Sequence, residues 1–177
     1  YNGTNWTGVN DLNTARSGLG GSGIATSGVA YGGTNPSPPR TGKTELWNGT
    51  NWTEDGDMSE ARSSFASLGT SKSEALAAGG YPPGPVSAAT EEWTGPGVAI
   101  GAWSTGGALN TSRENIAGSG TYTAALGFGG YAPGAGAPVG DTESYNGTSW
   151  TELNNLTTAR ASLGGALNAP NTATLGF

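Results

Sequence analysis

Four tryptophans mark a repeat that runs along the whole chain, and this repeat constrains the fold more than any other feature. Successive tryptophans lie 46, 51 and 47 residues apart, and an arginine follows each of them by ten residues. The tryptophans are Trp6, Trp52, Trp103 and Trp150, and the arginines are Arg16, Arg62, Arg113 and Arg160. A period of roughly 20 to 50 residues is typical of proteins that stack one small supersecondary unit against the next.

Other marks recur within the periods, always in the same order. An aromatic residue precedes each tryptophan, and in three of the four periods Asn-Gly-Thr follows that aromatic residue. A diglycine closes the segment after the arginine, and a Thr-Glu pair then leads back to the aromatic residue. The diglycines are Gly32-Gly33, Gly79-Gly80 and Gly129-Gly130, and the glutamates are Glu45, Glu91 and Glu143. Each period is therefore interpreted as one structural unit.

Each period contains four short segments with the composition of β-strands. Two of them flank the Asn-Gly pair, as in TESYNGTSWTEL, and such a pair is a strong hairpin signal. The other two lie between the arginine and the diglycine and consist mainly of Ala, Gly and Ser, which suits strands crowded near an axis. Four strands in about 46 residues match one blade of a β-propeller. We therefore predict an all-β chain of about four four-stranded blades.

The approximate repeats are residues 1–46, 47–92, 93–144 and 145–177. We predict one β-propeller domain, or a segment of a longer one, with three whole blades and two complementary half-blades at the ends. The first half-blade extends to about Gly8 and the second begins at about Ala159. The halves could pair within the chain, giving a four-bladed ring, or between copies, or they could belong to a longer propeller. The sequence leaves these three arrangements open.

The order of these marks resembles the kelch repeat, and the resemblance covers nearly the whole chain. In the last period the marks are Gly129-Gly130, Glu143, Tyr145, Trp150, Leu156, Ala159 and Arg160. The third period departs from the pattern, because its WTGPGVAIGAW segment lacks Asn-Gly and is five residues longer. The resemblance implies a β-propeller. The segment YNGTSWTELNNLTTARASLGG is also similar to kelch-like arrays of aquatic tailed phages and their metagenomic relatives. That resemblance implies a virion or appendage protein.

The residue types that most enzymes use are scarce. The chain has no histidine and no cysteine, which removes the usual general base, the Ser-His-Asp triad and the commonest zinc ligands. A glycosidase needs only two carboxylates, but a glutamate that recurs in every unit is expected to be structural, because an active site is usually a single place. We expect the repeated glutamates and arginines to pair or to bind backbone. We predict no enzymatic activity, no cofactor and no metal.

Charge and hydropathy restrict the partners. The net charge is −6, and the lysines are the isolated Lys43 and Lys72, whereas nucleic-acid binding needs clustered cations. No apolar run approaches the roughly 18 residues of a membrane span. We therefore predict neither nucleic-acid binding nor membrane insertion.

Two kinds of surface segment are candidate contact sites. The Pro-rich loops after the diglycines should emerge on one face together with the connectors between repeats, with Tyr81 and Tyr131 as candidate partner anchors; plain length variation explains these loops equally well. Glycosylation sequons lie at the Asn-Gly pairs, and turn chemistry accounts for them without sugars. Their asparagines are Asn2, Asn48 and Asn146.

The functional expectation is a non-enzymatic structural or adhesive propeller at a virion surface, in the tail or a fibre, or on an extracellular filament. Such a module would associate with copies of itself or with other virion or filament proteins. The alternative is a lectin-like module that binds a receptor or a surface glycan. A carbohydrate-active enzyme is the third and weakest hypothesis.

Overall fold

The chain folds entirely into β-structure. The computed structural model describes residues 3–37, 39–95 and 101–165. Those residues form fourteen β-strands and no helix. Twelve strands make three antiparallel four-stranded sheets, and the other two make a small ribbon. The all-β prediction is confirmed, and in the part of the chain described here no helix could cross a membrane.

Each four-stranded sheet is formed by one stretch of chain, in consecutive hairpins. Sheet 1 contains β1 (Gly20–Ile24), β2 (Ser27–Tyr31), β3 (Thr44–Trp47) and β4 (Trp52–Asp55). Sheet 2 contains β5 (Ala66–Ser71), β6 (Glu74–Ala78), β7 (Thr90–Thr94) and β8 (Ala102–Gly106). Sheet 3 contains β9 (Ala117–Thr121), β10 (Ala124–Phe128), β13 (Thr142–Tyr145) and β14 (Trp150–Glu152). The ribbon, β11 (Tyr131–Ala132) with β12 (Ala137–Pro138), lies in the loop between β10 and β13.

The hairpin between the third and fourth strands is built as its sequence predicts. In sheet 1 the side-chain Oδ1 of Asn48 accepts hydrogen bonds from the backbone N–H groups of Thr50 and Asn51. Gly49 has a φ of 94°, a left-handed conformation that favours glycine. The turn at Asn146 in sheet 3 repeats this arrangement. These turns place the two aromatic residues of a repeat directly opposite each other on neighbouring strands.

The first strands of the three sheets lie side by side, β1 against β5 and β5 against β9, so sheet 2 lies between the other two. Small residues allow this approach. A Cβ added to Gly20 would lie 2.5 Å from the ring of Phe65, and one added to Gly118 would lie 2.7 Å from the Leu68 side chain. The Ala-, Gly- and Ser-rich segments of the sequence are therefore where the sheets pack most closely.

Each junction between sheets has its own hydrophobic cluster. Between sheets 1 and 2 the cluster is Val29, Tyr31, Met58, Phe65, Ala75, Ala77 and Trp93. Between sheets 2 and 3 it is Ala66, Leu68, Leu76, Ala78, Leu109, Ile116, Ala125, Tyr145 and Trp150. Aromatic rings supply much of this apolar surface, which explains how a chain with few aliphatic residues forms a core.

The prediction of four strands per repeat is confirmed for three repeats, whereas the two half-blades at the ends stay predictions. Residues 3–16 contain no strand. Of the second half-blade, residues 159–165 form no strand, and 166–177 lie outside the described residues, as do Tyr1, Asn2 and the longer hairpin tip at 96–100. The arrangement of the sheets as propeller blades stays a prediction.

Candidate functional site

The repeated arginines and glutamates meet in buried ion pairs. In the second repeat Arg62 Nη2 lies 2.6 Å from Glu91 Oε1, and the two side chains are 0% and 3% exposed. The same pair recurs in the other two sheets, between Arg16 and Glu45 at 3.0 Å and between Arg113 and Glu143 at 2.5 Å. In each pair the arginine lies just before the first strand of a sheet and the glutamate lies on its third strand.

The second terminal nitrogen of each arginine binds backbone carbonyls of the same repeat. Arg62 Nη1 donates to the carbonyls of Gly79 and Ala89. Arg113 Nη1 donates in the same way to Gly129 and Asp141, and Arg16 Nη1 donates to Lys43. A planar guanidinium suits this bidentate role, because its donors point in fixed directions.

The second oxygen of each glutamate binds the connector that enters the sheet. Glu91 Oε2 accepts hydrogen bonds from the backbone N–H and the hydroxyl of Ser59, both 2.7 Å long. Asn13 and Asn110 hold Glu45 and Glu143 through their backbone N–H and side-chain amide. Each glutamate therefore ties the connector, the arginine and the third strand together.

The electrostatics of these arginine–glutamate clusters suit a structural role. Burial lowers the pKa of Arg16 and Arg62 from the ordinary arginine value, and the negative charge of the paired glutamate opposes that effect. Both oxygens of each carboxylate accept hydrogen bonds, and the glutamate side chains are at most 3% exposed. Among the described residues, no group of Asp and Glu side chains could hold a metal ion.

The diglycines join each repeat to the next. The backbone N–H of Gly33 donates to the carbonyl of Arg62, and Gly80 donates to Arg113 in the same way. Both glycines of each pair have a positive φ. A Cβ on Gly79 would lie 2.6 Å from the carbonyl oxygen of Arg113. Glycine is therefore required here both by the backbone conformation and by the closeness of the next repeat.

A chain of backbone hydrogen bonds runs from repeat to repeat, and sequence reasoning missed it. The residue two positions after each arginine has a positive φ, and in the second, third and fourth repeats its N–H donates to the carbonyl of the matching residue in the previous repeat. These residues are Gly18, Ser64, Asn115 and Ser162. The only sequence signal is that three residue types which enter left-handed backbone or turns recur at one position.

Two of the repeated tryptophans bind the preceding sheet. Trp103 Nε1 donates to Thr44 Oγ1 at 2.9 Å, and Trp150 Nε1 donates to Thr90 Oγ1 at 3.0 Å. The threonines belong to the Thr-Glu pairs, and their role could not be read from the sequence. Trp52 is half-buried, and Trp6 is 86% exposed. The four tryptophans therefore share a sequence position but not an environment.

The fourth arginine differs from the other three. Arg160 is exposed and makes no ion pair with any described residue. Its backbone nevertheless makes the same contact with the preceding diglycine as Arg62 and Arg113 make, since Gly130 N donates to Arg160 O at 2.8 Å.

The candidate contact residues lie where the loops and connectors meet. Connector residues bind the loops before each third strand; Met58 N, for example, donates to Gly42 O. Tyr81 is 40% exposed, and the guanidinium carbon of Arg40 lies 3.9 Å from its ring centroid. Tyr131 is half-buried and pairs its backbone with Glu114.

The sequon asparagines Asn48 and Asn146 are exposed at hairpin tips, where their side-chain oxygens are used in the turns. Asn2 lies outside the described residues.

No protein-family model matches the chain, and no curated protein is similar enough to it to serve as a relative. The functional interpretation therefore depends on the geometry of the clusters, joints and surfaces described above.

Proposed function

We propose that the chain is a kelch-like β-propeller, or part of one, that acts as a non-enzymatic structural or adhesive module. The observation that carries this proposal is the threefold arginine–glutamate cluster, in which both oxygens of each repeated glutamate are bound inside the protein. Carboxylates held in this way stiffen a repeat and are unsuited to acid–base chemistry, which needs a group that can exchange a proton with substrate.

The joints between repeats support a structural role. Each junction combines a hydrophobic cluster, a glycine-to-arginine backbone bond and a tryptophan-to-threonine bond. Such repeated interfaces give a stiff array in which each unit is stabilised by its neighbours. Association with copies of itself, or with related proteins of a virion tail, fibre or extracellular filament, is the use that we infer for it.

The test combines electron microscopy of the purified chain with sedimentation velocity over a wide range of protein concentration. We expect wedge- or disc-shaped particles whose sedimentation coefficient rises with concentration. Particles in the form of a straight stacked solenoid would contradict the propeller. A sedimentation coefficient that stays that of a monomer throughout, with no binding to filament proteins, would contradict the assembly role.

A second candidate function is a lectin-like module that binds glycans through the loop face. The partly exposed Tyr81 ring carries the Arg40 guanidinium, and Arg40 Nε and Asn35 Oδ1 are buried atoms without a hydrogen-bond partner among the described residues. An aromatic surface beside a few fixed polar groups is the usual composition of a small-ligand site.

A glycan array distinguishes this candidate from the first. Binding that is lost in Tyr81→Ala but kept in Ile24→Ala, a matched exposed apolar position on sheet 1, would favour the lectin. Absence of glycan binding together with concentration-dependent assembly would favour the structural module.

A further inference from the structure

We propose that Arg160 and Thr157 form a binding site for the glutamate of an extended x-Thr-Glu strand on another polypeptide. This inference deepens the adhesive role proposed above and rests on it. The site has three occupied counterparts in the same chain, in which Arg16, Arg62 and Arg113 each hold such a glutamate.

The backbone around Arg160 shares several hydrogen bonds with that around its counterparts. The connector residue Leu156 donates its N–H to Gly140 O at 2.8 Å, as Met58 does to Gly42 O at 2.8 Å. After the arginine, Ser162 N donates to Asn115 O at 3.0 Å. These backbone bonds hold the chain on both sides of Arg160 as they hold it on both sides of the other arginines.

Thr157 completes the set of donors. It stands three residues before Arg160, the position that Ser59 holds relative to Arg62. Ser59 gives its backbone N–H and its hydroxyl to Glu91 Oε2. Thr157 offers the same two groups, and neither has a hydrogen-bond partner among the described residues.

The surroundings of Arg160 form a recess that suits a charged pair. The recess is lined by Leu156, Thr157, Thr158, Arg160 and Leu163. A strand lying over it would cover the guanidinium and exclude water. A charge-assisted hydrogen bond in such a place is stronger than one on an open surface.

The occupied clusters also define the ligand. Each arginine binds the glutamate through Nη2 and, through Nη1, the backbone carbonyl two residues before that glutamate, as Arg62 does with Ala89 and Glu91. Only an extended strand presents a carboxylate and that carbonyl together. The ligand is therefore a peptide strand with a glutamate two residues after the bound carbonyl. Acetate or free glutamate supplies the carboxylate but not that backbone carbonyl.

Three of the chain's Thr-Glu glutamates, Glu45, Glu91 and Glu143, already occupy their own clusters. The other two, Glu54 and Glu152, lie exposed on the fourth strands β4 and β14. The glutamate at Arg160 comes from a Thr-Glu strand that is not engaged in such a cluster, and a partner with repeats of the same design would carry one.

The experiment uses a fluorescent peptide with the sequence of residues 141–150, DTESYNGTSW, which contains a single Thr-Glu pair; it is titrated with the full chain and followed by anisotropy. We expect saturable binding to the natural chain. A peptide with Gln in place of the Thr-Glu glutamate, and the natural peptide with the chain variant Arg160→Met, should each bind at least about tenfold more weakly, because a charged hydrogen bond is lost. Lys72→Met, which removes one positive charge at the β5–β6 turn, is the matched control and should bind normally.

Absence of saturable binding would overturn the inference, and so would equal binding of the Gln peptide or of Arg160→Met. Arg160 is exposed, so its variant should fold, and thermal unfolding checks that it does. Sedimentation of the chain without peptide tests the proposed function separately. If the chain assembles and is inactive as an enzyme while the peptide does not bind, only the glutamate site is wrong.

Discussion

The guanidinium of Arg62 shows how one residue can organise a repeat. It donates hydrogen bonds to Glu91 on β7 and to the backbone carbonyls of Gly79 and Ala89, which lie at the two ends of the loop between β6 and β7. A buried ion pair is weak evidence of net stability compared with an apolar replacement, but removal of one partner leaves an uncompensated charge. We therefore expect the clusters to fix the geometry of each sheet and to be intolerant of single substitutions.

Arg62→Met should destabilise the protein by roughly 3 to 5 kcal/mol, since Glu91 would remain buried without its counter-charge. Arg160→Met, the same change at the exposed repeat position, should alter the free energy of unfolding by no more than about 0.5 kcal/mol. Chemical denaturation of both variants measures the difference. Equal losses at the two positions would show that burial of the cluster is not what makes Arg62 important.

Tyr145 gives the structure a dependence on alkaline pH. Its hydroxyl donates to Glu92 Oε1 at 2.5 Å, across the junction between sheets 2 and 3. Burial, and then the hydrogen bond and charge of Glu92, raise the pKa of Tyr145 to about 12 from an ordinary value of 10.0. The folded state therefore keeps this proton at a pH at which the unfolded chain loses it.

The contribution of Tyr145 is fully present below pH 10 and is lost as the pH rises toward 12, because only the unfolded state is stabilised by ionisation in that window. Tyr145→Phe should be less stable than the natural protein at neutral pH and should lose less stability between pH 10 and 12. Denaturation curves at several pH values test this. A variant whose stability falls as steeply as that of the natural protein would contradict it. Tyr31, which burial shifts in the same direction, stays in both proteins.

At the scale of elements, the joints matter more than the strands. Each diglycine leaves its sheet with a backbone conformation that only glycine adopts easily, and it places an N–H against the arginine carbonyl of the next repeat. A side chain there meets backbone, which cannot move without displacing the neighbouring sheet.

Gly79→Ala should lower the free energy of unfolding by roughly 2 to 4 kcal/mol. Gly79 has a positive φ of 68°, which alanine adopts only with strain, and the added Cβ would lie 2.6 Å from Arg113 O. Gly84→Ala is the control, because nothing lies within 4 Å of its Cβ position; a change within about 0.5 kcal/mol is expected there. Thermal and chemical unfolding of the pair measure the effect. A tolerated alanine at Gly79 would mean that the two repeats can separate at low cost.

The elements also show where the sequence was sufficient. Features that depend on a particular side chain were predictable from residue type and spacing: the Asn-Gly turns, the strands that flank them and the arginine–glutamate pairs. Contacts made by the backbone alone were not predictable from the sequence. The positive-φ position occupied by Gly18, Ser64, Asn115 and Ser162 has three residue types for one conformation, so no single residue type marks it. Composition and spacing favoured a strand near Gly8, and residues 3–16 contain none.

At the scale of the whole molecule, stability should vary from sheet to sheet. Sheet 2 has a neighbour on both faces, whereas sheets 1 and 3 each have one neighbour among the described residues. In an array of this kind the stability of a unit is the sum of its own contribution and those of its interfaces. Opening of sheet 2 therefore breaks one more interface than opening of sheet 1 or sheet 3.

Hydrogen exchange in dilute protein should reveal this gradient. Opening of sheet 2 requires two interfaces to break, so the amides of β6 should exchange more slowly than those of β2 and β10, which occupy the matching place in sheets 1 and 3. The same experiment should find slow exchange at Ser64 and Asn115, which lie outside the strands but donate to the neighbouring repeat. Uniform exchange across β2, β6 and β10 would show that the three sheets unfold as one unit. Exchange at Ser64 as fast as at an exposed loop amide such as Gly84 would show that the chain of backbone bonds between repeats does not hold in solution.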